Sequence, residues 1–259
     1  MNLLLTLCTF EIMINISVIG NGNVGSKLAT SIDNLKNFKL LDWYGRSWIN
    51  KKIPKNGINQ LTDLKKADLY ILAVSDDSIN MFFNFISTDS FVIHCSGATS
   101  IDIFKHYPRS GVLFPIQTIS KLNDTLFKNI PFCIEAKNKD DLDLLKKLAL
   151  SLGGSYECLN SLQRAYIHLS AVWVNNFVNH MIYKGKKICS ENNISFSILK
   201  PIIKSTIKQT LISDPKKNQT GPARRRDILT LKRHDELMEN VNDKKLYNSI
   251  TKSIQNTYD

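Results

Sequence analysis

Ile16-Ser17-Val18-Ile19-Gly20-Asn21-Gly22-Asn23-Val24-Gly25 decides how the first half of this chain is read. A short apolar strand runs straight into Gly-x-Gly-x-x-Gly. Ser26-Lys27-Leu28-Ala29-Thr30-Ser31-Ile32 then continues as a helix, with Val24, Leu28 and Ile32 on one face. Strand, glycine turn and helix in that order are the parts of a dinucleotide-binding turn. Gly20 permits the tight turn, Gly22 lets backbone approach a pyrophosphate, and Gly25 lets the helix pack on the strand. The first N–H groups of the helix have no partner within it and would face the phosphates. Gly20, Asn21, Gly22, Asn23, Val24 and Gly25 are therefore candidate cofactor-binding residues. The glycine spacing alone is weak, and a plain strand–turn–helix is the alternative.

Downstream, Phe38-Lys39-Leu40-Leu41-Asp42-Trp43-Tyr44 reads as a second strand ending at Gly45-Arg46-Ser47. About 20 residues past the glycines, such a strand end meets the adenosine ribose, and an acidic residue there marks NAD. Asp42 lies too early. The end itself carries Arg46 and Ser47, with Lys51 and Lys52 near, which suits a 2′-phosphate. NADP is favoured over NAD, the alternative being that Arg46 is a solvated loop residue. Further strands are predicted at 68–74, 91–95, 112–114 and 132–135, with 155–158 a possible short addition. Their near-continuous apolar character fits a parallel sheet covered on both faces. Small and polar residues recur at the strand ends, where open α/β sheets bind ligands. Val74 and Ser75 join the cofactor candidates, and Ser96 is placed near the substrate. Ser75-Asp76-Asp77-Ser78 reads as the cap of a helix carrying Ile79, Phe82 and Phe83.

The alternation stops at Gly153-Gly154, and from Ser161 the pattern is helical. A sheet domain over 13–158 and an all-α domain over 159–259 are expected. A first long helix, about 161–191, is apolar on most sides and should be buried. A second spans about 197–212; a loop over 214–222 and two more helices follow. Along the long helix His168, Asn175 and Asn179 form one stripe, with Asn176 and His180 beside it. Buried polar groups need partners, which are either protein groups or a ligand. An imidazole can move a proton, and amides can orient a carbonyl without carrying charge. In Gln219-Thr220-Gly221-Pro222-Ala223-Arg224-Arg225-Arg226 the arginines either grip an anion or begin a solvated helix.

With 259 residues, 43% hydrophobic and 22% charged, the composition is that of a globular protein with a real core. The formal charge of +11 comes from lysines spread along the chain, and no recognition helix or aromatic stack supports nucleic-acid binding. Cys8, Cys95, Cys133, Cys158 and Cys189 are odd in number and scattered. They exclude a disulfide framework or zinc site and fit a reducing, cytoplasmic setting. No apolar run is long enough to span a membrane. Met1 to Phe10 lack the marks of a signal peptide, and Met13 is a plausible true start.

The whole chain from about Met13 resembles a bacterial family joining a Rossmann-like NADP oxidoreductase domain to an all-α C-terminal domain of unknown function. The match is carried by 20–25, Ala73-Val74-Ser75-Asp76-Asp77, His94-Cys95-Ser96-Gly97 and Phe114-Pro115-Ile116-Gln117-Thr118. It continues through His168-Leu169-Ser170-Ala171-Val172, Asn175-Asn176-Phe177, Asn179-His180 and 219–225. Wider relatives are pyrroline-5-carboxylate reductases, deazaflavin-dependent NADP reductases, and the β-hydroxyacid and 6-phosphogluconate dehydrogenases. The resemblance implies an α/β Rossmann-like parallel sheet domain, an all-α C-terminal domain and often a dimer built through its helices. In the reductases a Pro-Asn pair borders the substrate, and Pro115-Ile116-Gln117 is loosely similar. In the β-hydroxyacid dehydrogenases a catalytic Lys precedes an Asn by three residues; Asn175-Asn176 resembles that Asn, but Val172 stands where the Lys would be.

These readings lead to an NADP-dependent oxidoreductase transferring hydride to or from a small polar metabolite. His168, Asn175 and Asn176 are the catalytic candidates, and Ser96, Gln117, Asn179 and Arg224 the substrate contacts. No metal, nucleic acid or membrane is involved, and a homodimer is expected. The missing Lys keeps open a non-catalytic NADP(H) sensor or scaffold.

Overall fold

The structure, a computed structural model, describes residues 13–46, 48, 53–120 and 127–258. The expectations placed on Met1 to Ile12, Ser47, Lys51 and Lys52 lie outside the described residues. The chain forms two compact units, Met1–Asn179 and His180–Asp259. The first thus extends past the end of the strands, where the sequence suggested a boundary.

The first unit is built on one sheet of eight strands: β1 (Ile14–Ile19), β2 (Phe38–Tyr44), β3 (Gly57–Ile58), β4 (Leu69–Leu72), β5 (Phe91–His94), β6 (Ser110–Pro115), β7 (Pro131–Ala136) and β8 (Ser155–Cys158). Their order is β3-β2-β1-β4-β5-β6-β7-β8. The strand sequence leaves β1 between β2 and β4, so the order reverses at the glycine turn, and a ligand crevice opens at such a point. The sheet is not wholly parallel, because β7 runs antiparallel to β6 and parallel to β8. An antiparallel return needs no crossover helix, and an apolar run does not encode its own direction. The two-residue β3 was not foreseen; it is too short to carry a pattern.

Apolar residues of β4 show why both faces are covered. Leu69 and Ile71 face one cluster with Ile16, Val18, Leu28, Ile32, Leu145 and Leu148. Tyr70 and Leu72 face another with Ile79, Phe82, Phe104 and Tyr107. The first cluster is closed by α1 (Asn23–Ile32) and α2 (Lys139–Ser151). Leu28 and Ile32 are fully buried there, each burial contributing about 2 kcal/mol. The second cluster is closed mainly by 3₁₀ turns over Asp76–Phe85 and Ile101–Phe104 rather than by a regular α-helix.

After β8 the expected long helix is divided. It runs as α3 (Ser161–Ala171), a π-type turn over Val172–Phe177, and α4 (Val178–Glu191). It is not buried, contrary to its pattern: Leu162 is 66% exposed and Trp173 63%. Apolar residues on more than one side exceed what one chain covers. Within the second unit, α5 (Lys200–Ile212) leaves Ile202 and Leu211 exposed as well. The predicted loop at 214–222 contains the single turn α6 (Pro215–Asn218) and ends where the single turn α7 (Pro222–Arg225) begins; α8 (Ile228–Leu237) and α9 (Val241–Thr257) follow. Lys184 pairs with Asp243 at 2.5 Å, and His234 with the Tyr247 hydroxyl at 2.7 Å. No helix among the described residues is long and apolar enough to cross a membrane.

Candidate functional site

The glycine turn is explained atom by atom. Gly20 has a φ of +122°, and a Cβ there would sit 2.2 Å from the Ala73 carbonyl oxygen. A Cβ on Gly25 would sit 2.1 Å from the Gly20 carbonyl oxygen and 3.2 Å from the Ala73 Cβ. Both glycines are required by the protein's own packing. Gly22 is not: a Cβ there meets no heavy atom within 4 Å. It caps α1, whose first turn holds no acidic residue, so the positive helix end faces open space.

That space is a cavity of about 810 Å³ at the C-terminal ends of β1, β2, β4 and β5, within the range of small-molecule and cofactor sites. Gly20, Asn21, Gly22, Asn23, Val24, Arg46, Val74, Ser75 and Ser96 line it, with Tyr44, Leu61, Phe82 and Asp76. Gly25 is buried beneath the turn, as a packing residue should be. Asp42 is taken out of play. It is 1% exposed and accepts the Lys65 backbone N–H at 2.9 Å and the Lys65 ammonium at 3.0 Å. Among the described residues, the β2 end therefore offers the cavity Arg46, which is exposed, and no carboxylate.

At the β4 and β5 ends, Asp76 is a residue that sequence reading placed only in a helix cap. Its carboxylate accepts the Ser96 hydroxyl at 2.8 Å. The same hydroxyl accepts the Ala98 and Thr99 N–H groups at 3.1 and 2.9 Å. Ser96 is thus committed to shaping the turn, and Asp76 is the charged group it holds at the cavity wall. Ser75 and Ser78 pair through their hydroxyls at 2.8 Å. Behind them His94 is fully buried, stacked on Phe104 with ring centroids 5.5 Å apart. Its Nδ1 accepts the Ser96 N–H at 3.1 Å. Burial first, and the nearby Arg164 charge second, lower its pKa to about 4, so it is neutral at pH 7. Burial pushes the Cys95 thiol up to about 12, which leaves it protonated and no nucleophile.

His168 rests on the turn after β5. A Cβ on Gly97 would come within 2.8 Å of the His168 Cδ2 and the Phe114 Cζ, and the His168 and Phe114 rings meet edge to face at 5.8 Å. An anchor one helical turn earlier sets this position. Asn160 and Gln163 form a capping box at the start of α3. Arg164, fully buried, pairs with Glu135 of β7 and donates to the Thr99 carbonyl at 2.5 Å. Glu135 also accepts the Ser161 N–H at 2.9 Å and its hydroxyl at 2.8 Å. Sequence reading missed this pair; its only signal was a charged residue one turn before His168 on the stripe facing the sheet.

Asn175 lies in the π-type turn, which carries an extra residue per turn and often marks functional positions. Its amide donates to the Thr118 hydroxyl at 2.5 Å and to the Asn176 side-chain Oδ1 at 3.4 Å. Gln117 is exposed and accepts the Thr118 N–H at 3.0 Å. Thus Gln117, Thr118 and Asn175 form one cluster and Gly97 and His168 another; neither lines the cavity itself, but the neighbouring residues Ser96 and Ile119 do. Asn176 and Asn179 are exposed. Arg224 belongs to the second unit, where its guanidinium lies 4.5 Å from the centre of the Tyr258 ring and donates to the Tyr258 carbonyl at 3.4 Å. Among the described residues no group of His, Cys, Asp and Glu could hold a metal.

Comparison with known proteins adds three findings. Residues 130–254 match the family model described as a domain of unknown function, DUF2520. A Bacteroides fragilis protein provisionally named NADP oxidoreductase has a similar structure, with a TM-score of 0.84 and 29% identity over 94% of this chain and 98% of that one. A Thermotoga maritima protein (TM-score 0.66, 21% identity, 94% and 98% covered) and the Plasmodium falciparum pyrroline carboxylate reductase with NADP bound (0.58, 15%, 95% and 98%) share the fold. No curated protein matches the sequence.

Proposed function

We propose that this chain, a Rossmann-type sheet running into a DUF2520 domain, is an NADP-dependent oxidoreductase of a small polar metabolite. The observation that carries this reading is Gly22. Packing does not require a glycine there, yet its bare backbone and the α1 N-terminus open onto the cavity. A pyrophosphate fits that cradle. The adenosine end would lie toward Arg46, and the similarity to the Bacteroides fragilis NADP oxidoreductase supports the phosphorylated nucleotide. When bound, the cofactor supplies the hydride chemistry.

The remaining roles fall to this chain's own residues. His168, held over Gly97 by the Arg164–Glu135 anchor, is the group able to give or take a proton where Val172 cannot. Asn175, oriented by Thr118, presents its carbonyl for a polar substrate group, with Gln117 alongside. Asp76 adds a negative charge at the same rim. Titration of wild type and Arg46→Ala with NADPH and NADH, by calorimetry, tests the proposal. Wild type should prefer NADPH, and the variant should lose that preference. Equal wild-type affinities refute the NADP assignment; binding of neither nucleotide refutes the cofactor reading altogether. Tight NADPH binding without turnover across a metabolite panel would favour the sensor reading.

A further inference from the structure

We infer that Asp76 makes the cavity discriminate between the two redox forms of the nucleotide, holding the oxidised form, with its positively charged ring, more tightly than the reduced one. The inference rests on the proposed cofactor reading and adds a direction to it. Its starting point is the distribution of charge along the cavity. Among the described residues, the charged side chains that line it are Arg46 and Asp76, and they stand at different strand ends. Arg46 follows β2, Asp76 follows β4, and the glycine turn after β1 lies between them.

A dinucleotide is long enough to use all three places. With the pyrophosphate on the α1 N-terminus and the adenosine end toward Arg46, the redox-active ring is left the β4–β5 side. The oxidised ring carries one positive charge and the reduced ring none. A fixed charge on this side therefore acts differently on the two forms, whereas Arg46 and α1 act on groups that both forms share.

Asp76 is held as such a fixed charge. Its carboxylate accepts the Ser96 hydroxyl at 2.8 Å, and that hydroxyl is itself fixed by the Ala98 and Thr99 N–H groups. The backbone on either side is tied to the sheet: the Ala73 N–H donates to the Ile19 carbonyl at 2.8 Å, and the Cys95 N–H to the Leu72 carbonyl at 3.3 Å. Two other titratable groups at this end carry no charge, since His94 is neutral at pH 7 and Cys95 keeps its proton. Phe82, Phe85 and Ile119 add apolar wall to the same cavity.

Tighter holding of the oxidised form lowers the potential of the bound couple. The overall equilibrium of the reaction is untouched, but within the bound complex hydride donation to the substrate is favoured, and the oxidised nucleotide is the product slow to leave. The site is thus suited to reducing its substrate.

The test is a calorimetric titration of wild type, Asp76→Asn and Asp76→Glu with NADP⁺ and with NADPH at low ionic strength, with melting temperature as the control for folding. Asparagine keeps an acceptor for the Ser96 hydroxyl and removes the charge. It should lower the ratio of NADP⁺ to NADPH affinity by about fivefold, a modest figure because Asp76 is exposed and water screens it. NADPH affinity itself should stay within about twofold of wild type. Asp76→Glu, which keeps the charge, should retain more of the wild-type ratio, and added salt should bring wild type toward Asp76→Asn. An unchanged ratio in Asp76→Asn overturns the inference. An equal loss for both forms also overturns it and makes Asp76 a contact to a part that both share. If wild type binds neither form, the cofactor reading itself has failed and this inference falls with it.

Discussion

Lowering the pH isolates one buried group, His94. Its ordinary pKa of 6.5 is brought to about 4 in the fold, by burial first and by the Arg164 charge second, with the Ser100 backbone and then Asp76 opposing. Above pH 6.5 both folded and unfolded chains hold it neutral, so it contributes nothing to the pH dependence. As the pH falls from 6.5 to about 4 the unfolded chain takes up a proton that the folded chain refuses, and stability is lost. Below that both forms are protonated and the loss is complete. The full effect is about 3 kcal/mol, and about 2 kcal/mol of it is reached by about pH 5. Many carboxylates also titrate in acid, so the assay is a difference. Urea unfolding of wild type and His94→Asn is followed by tryptophan fluorescence at about pH 8 and about pH 5. Asparagine keeps an acceptor for the Ser96 N–H and removes the titrating ring. It costs stability at both pH values through lost contact with Phe104, and that cost cancels in the difference. Wild type should lose about 2 kcal/mol more than the variant over the interval. Equal losses, or a His94 resonance titrating near its ordinary value, would refute the argument.

Two glycines of one turn should fail differently. Gly25→Ala, whose Cβ would overlap the Gly20 carbonyl, should destabilise the fold by about 2 kcal/mol or more; Gly22→Ala should melt like wild type yet lose nucleotide affinity in a calorimetric titration. His168→Gln should keep NADPH affinity and melting temperature while turnover on an identified substrate falls by about 10²–10⁴; early melting with turnover per folded molecule unchanged would make His168 a packing residue. The exposed apolar faces of α3, the π-type turn and α5 predict a homodimer, so light scattering at micromolar concentration should give twice the chain mass of 29.5 kDa; a monomeric mass would count against it.

What could be read in the sequence was what is local. Gly20, Gly22 and Gly25 announce a turn because the strand, glycines and helix lie within one short stretch, and the structure gives each a separate physical reason. The apolar runs announced the strands in the same way, but not their direction, and so the antiparallel β7 was invisible. That strand matters because it carries Glu135, whose partner Arg164 lies 29 residues further on. Neither residue type signals burial, since charged side chains are ordinarily solvated. The packing of the Asn21 amide against the α-carbon of Gly45 was equally hidden, because each residue had an adequate local explanation of its own. The long helix failed for a third reason. Its apolar pattern asked for burial, yet Leu162, Tyr166 and Trp173 are exposed, and periodicity does not say whether a cover would come from the same chain. Breaking a buried ion pair by removing one partner strands the other charge and costs about 3–5 kcal/mol. The chain therefore tolerates little change at Arg164, even though the chemistry assigned to this helix belongs to His168, one turn later. The visible motif and the residues that aim it are held together by contacts that only the fold creates.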